Sequence, residues 1–168
     1  MKTPYIIAAL LMLGASTHAH ADSATITVTG KVLPGTCTMA DVPVALDEID
    51  AIDLNKGGEQ GLKPAALNFT GCVGVGSIDL AFDGSDDAAQ DGHWLNEATG
   101  NAAEGVAVAL LEGASGSTFL KKGAAKTVPV NGAATATLAM RAGYYRKSGT
   151  LLKAGDVTAR ITVTADYK

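Results

Sequence analysis

Three groups of side chains could carry chemistry: His93, the acidic stretch from Asp83 to Gly92, and the cysteines Cys37 and Cys72. Histidine is the common proton carrier near neutral pH, and a hydrolase would set it beside a nucleophile and an orienting acid. His93 lies in DGHWLNE; the other two histidines, His18 and His20, belong to the N-terminal leader. No serine is framed as GxSxG, the turn that presents a nucleophile. A lone loop histidine beside Trp94 reads as a surface residue. In DGSDDAAQDG, Asp83, Ser85 and Asp87 fall at calcium-loop spacing. Yet Ala88 stands where that loop needs glycine, and Trp94 stands where it needs a bidentate glutamate. The stretch therefore reads as a solvated loop. The expectation is no catalytic residue, no metal site, no cofactor and no enzymatic activity.

The cysteines take their meaning from compartment. MKTPYIIAALLMLGASTHAHA has one basic residue, an apolar run from Tyr5 to Leu13, and Ala19-His20-Ala21 as a small-x-small cleavage site. That is a secretory signal peptide over 1–21, too short to span a bilayer. In an exported chain two cysteines predict one disulfide between Cys37 and Cys72. Closing a loop of about 35 residues is worth about 4 kcal/mol in the chain-entropy account. Loss of Lys2 with the leader takes the formal charge from −4 to −5. No basic patch interleaved with aromatics exists, so nucleic acid is not an expected partner.

Alternating patterns recur in SATITVTGKV, VPVAL, ALNFTGC, SIDLAF, GVAVALL and ATATLAMRAGY. Between them lie NKGGEQG, DGSDDAAQDG, EGASGS and KKGAAK, rich in turn residues. Short strands of period two separated by such turns predict an all-β sandwich of one domain. The longest alternation is the last: Gly155, Val157, Ala159, Ile161, Val163, Ala165 and Tyr167 on one face, polar residues on the other. A strand of that length at the chain end has no proline and no charge on its apolar face to blunt an open edge. Either it lies inside a sheet or another chain fills its edge.

The two ends together resemble a known family, the chaperone–usher (type 1 fimbrial) pilus subunits of Gram-negative bacteria. The resemblance rests on the alternating Ile26 and Val28 before Gly30, on Cys37 seven residues later, on NFTGC ending at Cys72, and on Gly155 with a penultimate Tyr167. It implies an immunoglobulin-like β-sandwich lacking its last strand, completed by a donor strand from another subunit or a chaperone. It implies a signal peptide (1–21), a donor-strand extension (22–30) and a pilin domain (31–168). Ala24, Ile26, Val28 and Gly30 would form the donor strand. Gly155, Val157, Ala159, Ile161, Val163, Ala165 and Tyr167 would line an acceptor groove that also meets the chaperone.

Such a subunit polymerises by donor-strand exchange and supports cell adhesion. Its implied partners are a periplasmic pilus chaperone, an outer-membrane usher and neighbouring subunits, and its path runs through the periplasm to a fimbrium at the cell surface. The extension is short, as in tip adaptors, and Ala24 stands where a donor segment commonly has glycine. RAGYYRKSGTLLKAGDVTA resembles the tail of shaft subunits, so both positions in a pilus remain open. The alternative function is a secreted, self-sufficient sandwich that binds a ligand as lectins do.

Overall fold

The structure, a computed structural model, describes residues 24–168. The leader and the first two residues of the extension, 22 and 23, lie outside the described residues. The chain divides after Lys31 into two units. In the first, Ala24 to Lys31 are exposed and belong to no strand, Ile26 and Val28 each being 88% exposed. The alternation from Ala24 to Val32 therefore forms no ladder among the described residues.

In the second unit, Val32–Lys168, the regular structure is almost all strand. Seven strands run in order as β1 (Thr38–Met39), β2 (Gly58–Thr70), β3 (Ser77–Gly84), β4 (Val106–Glu112), β5 (Ala125–Pro129), β6 (Thr135–Arg146) and β7 (Ile161–Tyr167), with one helical turn, α1 (Ala51–Leu54), after β1. One sheet has the order β1-β2-β6-β4 and the other β5-β3-β7, all pairs antiparallel. The inward faces meet in one core. Phe69 of β2, Ile78, Leu80 and Phe82 of β3, and Trp94 are the largest fully buried side chains. Trp94 carries a polar atom inward, and its indole N–H donates to the Leu120 carbonyl at 3.0 Å. Cys37 and Cys72 are bonded, with Cα atoms 4.3 Å apart, tying the segment before β1 to the end of β2. No helix among the described residues is long and apolar enough to cross a membrane.

Three boundaries differ from the sequence reading, each for a local reason. NKGGEQG reads as a turn, yet β2 begins at Gly58. Its register slips between Gln60 and Lys63, where Gly61 takes φ +60, so the glycines there serve a bulge inside the strand. KKGAAK reads as a turn, yet Ala125 and Lys126 open β5, a five-residue strand that buries only Val128. The last alternation, read from Gly155, forms a ladder only from Ile161 onward.

The residues before that ladder are extended but held by a loop. The Asp156 N–H donates to the Asn101 carbonyl, and its own carbonyl accepts from the Ala103 N–H. The Thr158 N–H donates to Asn96 Oδ1, and the Arg160 N–H to the Glu97 carboxylate. Gly155 is needed where this loop presses closest. A Cβ there would stand 2.4 Å from the Asn101 carbonyl oxygen and 2.6 Å from the Ala103 nitrogen.

Candidate functional site: an open sheet edge over an apolar groove

β7 ends its sheet, so β3 pairs with only one of its edges. The pairing phase decides which backbone groups are left over. The Lys168 N–H donates to the Ser77 carbonyl at 3.0 Å, and the Lys168 carbonyl accepts from Gly76 at 2.7 Å. In an antiparallel ladder, alternate residues turn their N–H and C=O to the same partner. Lys168, Asp166, Thr164 and Thr162 therefore bond β3, and Arg160, Thr158 and Asp156 bond the 96–103 loop in the same phase. The odd-numbered residues Val157 to Tyr167 point theirs the other way. By that phase Ile161, Val163, Ala165 and Tyr167 sit at the non-hydrogen-bonded positions of the β3 ladder, and Val157 and Ala159 make no backbone–backbone bond to the loop.

Across the gap runs the segment between β1 and α1. Its Val42, Val44 and Leu46 face inward and are half-buried, as the alternation in VPVAL predicts. Residues 40–49 nevertheless join no ladder and make no backbone–backbone bond among the described residues. Two edges thus flank one opening, a groove of about 1110 Å³. Val157, Ala159, Ile161 and Val163 line one wall, Met39 and Val42 to Leu46 the other, and Leu67, Phe82, Leu110 and Met140 the floor. Small Ala159 leaves room between its larger neighbours. Ala165 and Tyr167 continue the inward row past the groove and pack on the core, whereas Gly155 lies before it.

The groove has one bridged end. The Tyr167 hydroxyl donates to the Cys37 carbonyl at 3.0 Å, joining the tip of β7 to the opposite wall. Towards the other end, Tyr144 donates to the Asp47 carbonyl at 2.9 Å. Burial, with Asp47 and Glu48 nearby, pushes the Tyr144 hydroxyl above its ordinary range, so it remains a donor at neutral pH.

Neither His93 nor the acidic stretch 83–92 lines this groove. Among the described residues, no cluster of His, Cys, Asp and Glu is arranged to hold a metal. Asp87, read as solvated, is buried and pairs with Lys147 at 2.6 Å, a partner that follows β6 directly. His93, read as a surface residue, is buried. Its ring stacks 3.6 Å from that of Tyr145 and lies 4.7 Å from Phe119, and neither ring nitrogen has a hydrogen-bond partner. Glu59 stands 3.8 Å from Nε2.

Burial lowers the His93 pKa below 6.5, against smaller opposing effects from the Asp91 backbone and Glu59. The unfolded chain then takes up this proton first as pH falls. Stability contributed by His93 is full above about pH 6.5 and declines below it. His93→Phe is expected to flatten this part of the profile, so that wild type loses more stability than the variant between about pH 7.5 and pH 5.5. Urea melts at the two pH values check it, and equal losses would contradict it.

The geometry is that of a sandwich with one strand position empty, and comparison with known proteins gives it a family. The sequence profile described as "Fimbrial protein" matches residues 26–168. The chain belongs to the fimbrial protein family. This fimbrial subunit is 34% identical to Protein FimG of Escherichia coli over 134 residues, covering 77% of this chain and 75% of FimG. Among solved structures, a chain from a chaperone–usher pilus superposes with a TM-score of 0.65 at 14% identity, covering 91% of this chain and all of that one. The P pilus rod subunit PapA superposes with a TM-score of 0.60 at 17% identity, covering 80% of this chain and all of PapA. The fold is the immunoglobulin-like sandwich of pilus subunits, one strand short.

Proposed function

We propose that this fimbrial subunit assembles by strand addition. The groove beside residues 157–163 takes an extended strand from a neighbouring subunit, and residues 22–30 are the strand that this chain gives in turn. One observation carries the reading: the odd-numbered backbone groups from Val157 to Val163 border an apolar groove and point away from the β3 ladder and the 96–103 loop. A strand laid there pairs with that edge and drops alternate side chains onto the floor. The extension suits the task, since Ile26 and Val28 are apolar, on one face and 88% exposed. Burying each contributes about 1.5–3 kcal/mol. Because giving and taking surfaces differ, the contact propagates as a fibre.

An open groove is an aggregation hazard before assembly. The reading therefore includes a periplasmic chaperone whose strand fills the groove after export, and an outer-membrane usher where a neighbour's extension replaces it. The product is a surface fimbrium supporting adhesion, and the subunit's role in it is structural.

The test uses mature protein refolded without partners and a peptide of residues 22–34. The free subunit is expected to be marginal and aggregation-prone. Its melting temperature should rise with peptide concentration, by the equivalent of about 2.7 kcal/mol when peptide reaches a hundred times its Kd. A monomer already stable, and indifferent to the peptide, would be a complete sandwich and would overturn the proposal.

A further inference from the structure

The unit Val32–Lys168 exposes apolar side chains at both ends of the groove. At the end bridged by Tyr167 and Cys37, Val32 is 93% exposed, Leu33 68% and Val73 75%. Leu33 leads into Gly35, whose N–H reaches the Gly74 carbonyl at 3.4 Å, which keeps these residues at that end. At the other end, Ile52 of α1 is 82% exposed and Leu151 is 81% exposed. With Leu152 and the stem of Arg146 they border a shallow depression of about 380 Å³. The strand-addition reading uses neither set. Five strongly exposed large apolar residues on one domain call for a cover.

We infer that Val32 and Leu33 of one copy of this chain seat in the Ile52–Leu151 depression of the next copy, adding an end-to-end contact to the strand contact. The inference rests on the strand-addition reading and follows from which way a donor must lie. A donor extension is continuous with a folded domain at its C-terminal side, so that side must leave the groove where the groove is open. Tyr167 and Cys37 bridge one end. The donor therefore leaves past Val157, antiparallel to β7. Val157 packs against the cluster of Leu54, Ala103 and Val106, together with Leu152. The departing chain thus arrives beside α1 and the Leu151 turn. Val32 follows Val28 by about 13 Å of extended chain, enough to step from the groove to the depression.

The experiment compares two peptides on mature protein, residues 22–30 and residues 22–34. The longer peptide is expected to bind at least about tenfold more tightly, the effect of burying one good apolar side chain. The double variant Ile52→Ser/Leu151→Ser should bind both peptides with the affinity that wild type shows for the shorter one. Because both side chains are exposed in the free subunit, the variant should melt like wild type. Independently of any protein variant, a 22–34 peptide carrying Val32→Ser and Leu33→Ser should lose the gain on wild-type protein. Equal binding of 22–30 and 22–34 would overturn this inference while leaving strand addition standing. So would a gain that survives Ile52→Ser/Leu151→Ser. If neither peptide binds, strand addition itself fails.

Discussion

A chain from which residues 22–29 have been removed is expected to fold, to take a donor strand and to give none. Residues 24–29 are exposed and lie in no ladder, and every strand among the described residues belongs to the unit from Val32 onward. Their loss therefore removes no core contact, and the change in stability should stay within about 0.5 kcal/mol, the ordinary range for surface changes. The groove lies in residues that the deletion does not touch, so the melting temperature should still rise with added 22–34 peptide. Fibre growth is a different matter. A subunit that can only accept stops the polymer wherever it is added, so the deleted chain alone should give no fibres by electron microscopy. Mixed with wild type, it should shorten fibres in proportion to its share. Fibres of normal length from the deleted chain alone would remove residues 22–29 from the donor role.

The parts of this fold that could be read in advance are those where a half-buried surface writes period two into the sequence. SIDLAF falls within β3, and GVAVALL and ATATLAMRAGY enter β4 and β6 after their first residue. β3 and β6 bury mainly one face, whereas residues 106–111 of β4 are buried on both, which the alternation there did not announce. Parity also marked Val157, Ala159, Ile161 and Val163 as inward-facing, and they are half-buried on the groove wall.

Parity cannot say what pairs with a backbone. The alternation is the same whether residues 156–160 lie beside a strand or beside Asn96, Glu97 and Asn101, so the sequence reading ran the strand six residues too far back, to Gly155 rather than Ile161. The glycine at 155 marked a close approach, but the approaching partner is a loop more than fifty residues away in the chain. His93 shows the same limit in a side chain. Nothing adjacent to it predicts burial except Trp94, and the ring that covers it belongs to Tyr145 of β6. Asp87 likewise looked like part of a hydrated loop because its counter-charge, Lys147, lies across the fold. The groove itself was visible only as a question, whether an apolar strand without edge protection had a neighbour. The segment 40–49 on the far wall carries alternation in VPVAL but no sign that it would stay unpaired.

Replacing Ile161 with aspartate is expected to abolish strand addition while leaving the free subunit folded. In the free subunit Ile161 is half-buried at the groove wall, with open solvent before it. A carboxylate there keeps much of its hydration, so the loss of folding stability should be about 1 kcal/mol, typical of a single substitution. Adding a strand closes the solvent side. The charge then lies between the donor's apolar side chains and Phe82 on the groove floor. Arg160 and Thr162 flank it in sequence, but their side chains belong to the outward face and offer no counter-charge. An unpaired charge driven into such a place costs several kcal/mol. Peptide affinity should therefore fall by a factor of at least about a hundred, equivalent to about 2.7 kcal/mol. Thr164→Asp supplies the control, since it puts the same charge on the same strand but on the exposed face, and should bind within about twofold of wild type. The measurement is peptide titration followed by calorimetry, with thermal melts of the free proteins alongside. Each alternative leaves a separate mark. If Ile161 were ordinary core of a complete sandwich, the variant would unfold before any peptide was added. If the incoming strand lay elsewhere, Ile161→Asp would fold and bind as Thr164→Asp does. Only a groove open in the free subunit and closed by a second chain gives a protein that folds and does not bind.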